Sequence, residues 1–130
     1  VIAIAVDGGI QMTLQELGTI SQYNIPVKIV ILNNHFLGMV RQWQQLFFEE
    51  RFSETDLSDN PDFVTMASAF DIPGRTITHA GEVELALDEM LEAKGPFLLH
   101  VRIDEAHNVW PLVPPGASNR DMMDEMEKQT

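Results

Sequence analysis

The 130-residue chain contains no cysteine. A disulfide scaffold and a thiolate metal centre are therefore excluded, and a reducing compartment is permitted. Positive charge is scarce as well: 8 Lys and Arg stand against 20 Asp and Glu, a formal net charge of -12. This argues against nucleic acid as a partner, because a phosphate backbone calls for Lys/Arg patches. It also means that charge alone cannot hold an anionic ligand, which would need a metal ion or helix N-termini. No apolar run approaches a membrane-spanning length, so no membrane partner is expected. No initiator Met precedes the first apolar run, and the chain reads as a piece of something longer, with any targeting signal upstream.

The residues present are those of a single globular domain. A hydrophobic content of 45% and a charged content of 22% are ordinary for such a domain, and the length is enough for a real core. Residues 1–6 are short and continuously apolar, as a buried parallel strand would be, and Asp7-Gly8-Gly9 reads as a turn. A helix is expected from Thr13 to about Tyr23, ended by Asn24 and Pro26, followed by a buried strand over Val27 to Leu32. A second helix is expected over Gly38 to Phe48, then a polar irregular stretch to Asp59. Asn60-Pro61 suggests an N-cap with proline at the first helical position. Arg75 to Thr78 suits a short strand. Val83, Ala86, Leu87, Met90 and Leu91 share one helical face, and Pro96 to Ile103 is a third strong strand. Strands alternating with helices imply an α/β fold, a parallel sheet flanked by helices. The organisation expected is one partial domain over 1–118 and a tail over 119–130, either a short helix or disordered.

In parallel sheets ligands bind beyond the carboxyl ends of strands. Asp7 ends the first strand, and Asn33 and Asn34 end the second. If the two strands are near each other, Asp7 and Asn34 converge at one rim. A carboxylate and an amide oxygen are hard ligands suited to Mg²⁺, which keeps water and phosphate oxygens in its shell. Gly8 and Gly9 would let the backbone approach a phosphate, and the helix from about Thr13 would aim its N-terminus there. The pair thus reads as a Mg²⁺-diphosphate anchor, which also answers the charge problem. Generic chemistry by itself favours reading the same residues as a turn and a cap, and pattern alone favours a helical core stripe for Met39 and Trp43.

The stretch is similar to the thiamine-diphosphate motif, which begins G-D-G and ends N-N; Asp7 and Asn34 lie 27 positions apart, a spacing typical of it. The segment from Gln11 to Thr78, and "NVWPLVPPGASNRDMM" after it, closely resemble the C-terminal, diphosphate-binding (PP-type) domain of the acetolactate synthase (acetohydroxyacid synthase) catalytic subunit. Leu37-Gly38-Met39-Val40-Arg41-Gln42-Trp43 is the most specific string. The resemblance implies that Asp7, Asn34 and the Phe36 backbone carbonyl ligate Mg²⁺. It implies that Gly8, Gly9, His35, Gly38 and Met39 bind the cofactor, and that Val40 and Trp43 border the substrate channel. The implied reaction condenses two 2-ketoacids, pyruvate with pyruvate or 2-ketobutyrate, with loss of CO₂, toward branched-chain amino acids. A cytoplasmic homo-oligomer is implied, with room for a regulatory subunit.

The resemblance places the activating glutamate and the FAD-holding domain in a longer chain, so no catalytic residue is expected here and the 130 residues alone are expected to be inactive. Where the motif begins with glycine this chain has Val6, whose β-branch disfavours positive φ and adds bulk beside the turn. Two other readings stay open: another thiamine-diphosphate-dependent decarboxylase or carboligase, and a non-catalytic assembly remnant. His79 and His107 read as solvated or capping, His100 as structural, and Glu49 to Arg51 as a solvated face.

Overall fold

Four strands, β1 (Ile2–Val6), β2 (Lys28–Asn33), β3 (Gly74–Ile77) and β4 (Phe97–Arg102), form one sheet in the order β1-β2-β4-β3, every neighbouring pair parallel. This is a computed structural model, and it describes residues 1–105 and 107–124. Five helices connect the strands: α1 (Asp7–Gln11), α2 (Glu16–Gln22), α3 (Gly38–Phe47), α4 (Phe63–Ser68) and α5 (Val83–Glu92). The α/β parallel-sheet architecture expected from the alternating elements is the one observed. No helix among the described residues is long and apolar enough to cross a membrane.

Alternation along β2 and β4 divides the core in two. Ile29, Ile31 and Leu98 face Leu17 of α2 and Phe63 and Ala67 of α4. Phe97, Leu99 and Ile77 face Ala86 and Met90 of α5. The central strands are thus covered on both faces, which explains their near-continuous apolar sequences.

β1 departs from its expected burial. Ile2, Ile4 and Val6 are exposed, Ile4 by 71%. β1 is an edge strand, and its register with β2 puts these side chains on the face covered by α5. That helix packs on β3 and β4, at the far side of the sheet, and leaves β1 bare. The same narrow seat explains a second correction. Only Ala86 and Met90 of the expected α5 stripe are buried, while Val83, Leu87 and Leu91 flank the contact and stay exposed.

Three further readings change locally. Asp7-Gly8-Gly9 is the first turn of α1, and the next helix begins at Glu16. The cap of α4 is Asp62, whose Oδ1 accepts from Val64 N and Thr65 N at 3.0 Å each, so Pro61 lies before the helix. These bonds hold the Asp62 carboxyl below the usual range. Of the tail, Asn119–Asp121 forms a short 3₁₀ turn capped by Ser118; the rest of that expectation, over 125–130, lies outside the described residues.

Two buried polar side chains stitch the sheet. At the amino end of β2, Lys28 Nζ donates to the carbonyls of Ala93 (2.5 Å) and Gly95 (2.6 Å), closing the end of α5. Near the carboxyl end of β4, His100 lies between Asn33 and Thr76. Asn33 Oδ1 accepts from the backbone N–H of His35, so its NH₂ group faces His100. His100 Nε2 must then accept, and Nδ1–H donates to Thr76 Oγ1.

The neutral imidazole is what this arrangement requires. Burial pushes the His100 pKa below its ordinary 6.5; Asp62 and Asp7 oppose the shift, and Arg102 and His35 reinforce it. The unfolded chain therefore takes up this proton before the native state does. This contribution to stability is complete above pH 6.5 and is lost as pH falls below it. Urea midpoints are expected to drop between pH 7.5 and 5.5, and His100→Gln to flatten that drop; an equal drop in the variant would refute the assignment.

Candidate functional site

The pairing of β1 with β2 brings the two polar strand tips together. Val6 is opposite Leu32, so Asp7 and Asn33 follow at the same level of the sheet, and Asn34 lies one residue beyond. The two asparagines have different tasks. Asn33 is 1% exposed and fully engaged with His35 N and His100. Asn34 Oδ1 accepts from Phe36 N at 3.2 Å, which leaves a second lone pair on that oxygen.

Beyond Asn34 the chain turns through His35, whose φ is +60°. Phe36 then forms an isolated antiparallel bridge with Asp56. The bridge is made by Leu37 N to Thr55 O (2.9 Å) and Leu57 N to His35 O (2.8 Å), so the Phe36 carbonyl takes no part in it. Arg41 lies 5.1 Å from the Phe36 ring centroid and 4.9 Å from that of Phe52, holding Phe36 from its side-chain end.

Asp7 is 1% exposed, and its Oδ2 accepts from Asn60 Nδ2 at 2.9 Å. The glycines around it are in close quarters. A Cβ at Gly8 would lie 3.1 Å from Leu37 Cδ2 and 3.2 Å from Leu57 Cδ1. At Gly38 it would lie 2.9 Å from Asn34 Nδ2, pressing directly on that amide. Gly38 thus keeps room for the Asn34 side chain at the start of α3.

Asp7, Gly8, Gly9, Asn34, Phe36, Gly38, Met39 and Val40 all line one cavity of about 450 Å³. Trp43 is one turn further along α3 and instead borders a neighbouring hollow that shares Val40; its ring meets Phe47 edge-on at 5.7 Å. His35 is off the cavity lining, with Nε2 paired to Arg102 Nη2 at 3.1 Å. A guanidinium only donates, so Nε2 accepts and Nδ1 carries the proton. That Nδ1 is buried with no hydrogen-bond partner among the described residues.

Val6 adopts φ -101° and ψ 159°, ordinary extended backbone. The conflict expected between its β-branch and a positive φ does not arise. Its bulk does reach the cavity rim, where Val6 Cγ2 would be 3.2 Å from a Cβ at Gly9.

The long-range contacts of two site residues carried no signal in the sequence. Gln42, 1% exposed, holds Val109 by both ends of its amide, Nε2 donating to Val109 O at 2.9 Å and Oε1 accepting from Val109 N at 3.0 Å, and so brings the segment after β4 to the cavity wall. Asn60 was absorbed by the proline-cap reading. No spacing rule relates position 42 to 109 or 60 to 7; only the fold does.

Chemically, the rim offers one carboxylate, one amide oxygen and one unbridged carbonyl. Among the described residues no three His, Cys, Asp or Glu cluster to hold a metal by themselves. Such a sparse oxygen set suits a hard divalent cation that shares its shell with a ligand's own oxygens.

Residues 1–101 match the family profile described as "Thiamine pyrophosphate enzyme, C-terminal TPP binding domain". The acetolactate synthase isozyme 2 large subunit of Escherichia coli (strain K12) is 60% identical over 126 residues, covering 97% of this chain and 23% of that protein. The acetolactate synthase large subunit of Pyropia yezoensis is 46% identical, over 95% of this chain and 21% of that protein. The chain thus spans under a quarter of the length of these curated relatives. Among solved structures, the Rhodococcus jostii RHA1 thiamine diphosphate-dependent 4-hydroxybenzoylformate decarboxylase superposes with a TM-score of 0.73 at 29% identity, over 81% of this chain and 20% of that one.

Proposed function

Because this chain belongs to the thiamine pyrophosphate enzyme family, as a C-terminal TPP-binding domain, we propose that it is the Mg²⁺- and diphosphate-holding part of an acetolactate synthase large subunit. The observation that carries this reading is the convergence of Asp7 and Asn34 on one cavity whose lining includes three glycines. The residues present fit the group. The oxygen donors suit Mg²⁺, and Gly8 and Gly38 stand where added Cβ atoms would crowd the site.

In this reading Asp7, Asn34 and the Phe36 carbonyl hold Mg²⁺, and Gly8, Gly9, His35 and Gly38 attend the diphosphate. Bound thiamine diphosphate supplies the electron sink for decarboxylating a 2-ketoacid. Met39 and Val40, from the first turn of α3, line the cavity and would offer the bound cofactor an apolar wall. Trp43, beside Val40, extends that wall toward the acceptor ketoacid. Asp7 holds a cation so that a chain of net charge -12 can retain an anionic cofactor.

The 60% identity to the Escherichia coli subunit favours pyruvate and 2-ketobutyrate as substrates, and branched-chain amino-acid synthesis as the pathway, over the decarboxylase chemistry named for the Rhodococcus protein. FAD, the activating glutamate, homo-oligomer contacts and a regulatory subunit belong to the longer protein, working in the cytoplasm.

Calorimetric titration of thiamine diphosphate into the chain tests the cofactor half of the reading. Heat is expected with Mg²⁺ and not with EDTA; heat indifferent to Mg²⁺ sinks it. Acetolactate formation from pyruvate by the full-length parent tests the rest.

A further inference from the structure

Part of the cavity wall comes from outside the strands and helices. Ile103, His107 and Val109 all follow β4, and they line the cavity together with Asp7 and Gly38. Val109 is fixed there from α3, because Gln42 donates to its carbonyl and accepts from its N–H. A backbone N–H only donates and a carbonyl only accepts, so the Gln42 amide has one possible orientation. Three residues on, Gln45 Oε1 accepts from Asn108 Nδ2 at 3.0 Å. Two neighbouring positions on one side of α3 thus grip consecutive residues of the segment. Gln42 is 1% exposed and Val109 is 59% exposed. The anchor is buried with both ends of its amide engaged, and what it holds out is an apolar side chain.

The grip lies away from the Asn34 end of α3. Gly38 faces the Asn34 amide, and Gln42 stands one turn further on the same helix face, about 6 Å along the axis. The cofactor-domain profile ends at residue 101, before this segment. The match to the Escherichia coli subunit takes in 126 of the chain's residues and so runs through it. Val109 therefore belongs to a part of the wall that the general cofactor pattern does not include. We infer that Gln42 is a positioning residue that fixes Val109 as a specificity-determining wall, against which the alkyl group of a 2-ketoacid is sized. Leu32, Val40 and Ile103 line the same cavity and, like Val109, offer only hydrocarbon, which discriminates by volume. The inference rests on the ketoacid chemistry proposed above and names the residue that sorts its substrates.

The test is a competition in the full-length parent. Pyruvate and 2-ketobutyrate are supplied together, and the ratio of ethyl-bearing to methyl-bearing condensation product is measured for the wild type, Val109→Ala and Val109→Phe. Val109→Ala should raise the ratio and Val109→Phe lower it, each by about 10-fold, the low end of what one methylene is worth in an apolar pocket. Gln42→Met, which fills similar space without either hydrogen bond, should move the ratio in the direction of Val109→Ala. A ratio unchanged in both Val109 variants, or shifted the same way by both, overturns the inference while the ketoacid reading stands. A wild-type parent that forms no product from either ketoacid overturns both. The exposure of Val109 means that its substitutions do not threaten the fold. Amide hydrogen exchange on the wild-type chain decides the positioning role even if Gln42→Met unfolds. The Val109 N–H should exchange slowly despite its exposed side chain, because its acceptor is buried. Exchange as fast as that of an open amide overturns the proposal.

Discussion

Asp7→Asn is expected to weaken Mg²⁺-dependent thiamine diphosphate binding by at least about 100-fold, since removing residues that merely orient a metal ligand already costs about 10–100-fold. The amide replaces the carboxylate almost atom for atom, and its oxygen can still accept from Asn60 Nδ2. The fold should therefore survive, with a melting temperature near that of the wild type. What disappears is the only negative charge among the three proposed ligand groups, in a position 1% exposed, where water screens little. Asp7→Ala should lose binding as fully but also strand the Asn60 donor, at a cost of about 1–3 kcal/mol. Calorimetry on the two variants, with thermal melts alongside, separates the lost ligand from the lost hydrogen bond. Wild-type affinity in Asp7→Asn would remove Asp7 from the metal site.

Phe63→Ala is expected to destabilise the chain by about 3–5 kcal/mol, the usual range for emptying a buried phenylalanine site. Phe63 is fully buried at the start of α4, in the cluster that joins Leu17 and Ala67 to Ile29, Ile31 and Leu98. Its ring also meets that of His100 edge-on at 5.3 Å. Few of its neighbours can move into the gap, because the strands behind it are fixed by parallel ladders on both sides. A loss of this size is a large part of the roughly 5–15 kcal/mol that holds a domain folded. Urea denaturation at pH 7.5 checks it, with Phe63→Leu as a milder companion. A midpoint within error of the wild type would mean the cluster is not the core.

The sheet was legible because its central strands, "VKIVIL" and "PFLLHVRI", are buried on both faces and show it as unbroken apolar runs. The carboxyl-end rule puts Asp7 and Asn34 at one rim if β1 and β2 are neighbours, and the parallel register of the two strands makes them so. The burial of β1 was not legible, because an apolar run records composition and not which helix covers it. Local rules also misplaced the α4 cap by two residues: Asn60 satisfied the pattern, but a long-range carboxylate competed for it and Asp62 took the helix. The links from Gln42 to Val109 and from Asn60 to Asp7 depend on tertiary closure alone.

The buried polar residues of β2 lie at its two extremities. Lys28 fastens the amino end to the close of α5, while Asn33 closes the carboxyl end beside the rim where Asp7 and Asn34 meet. Five residue steps of strand, about 16 Å, separate them. At that distance, with no shared partner, changes at the two ends should combine additively. The molecule is in effect modular along the strand axis. Sequence variation around Lys28 and the end of α5 can adjust thermal tolerance while the opposite rim keeps its geometry.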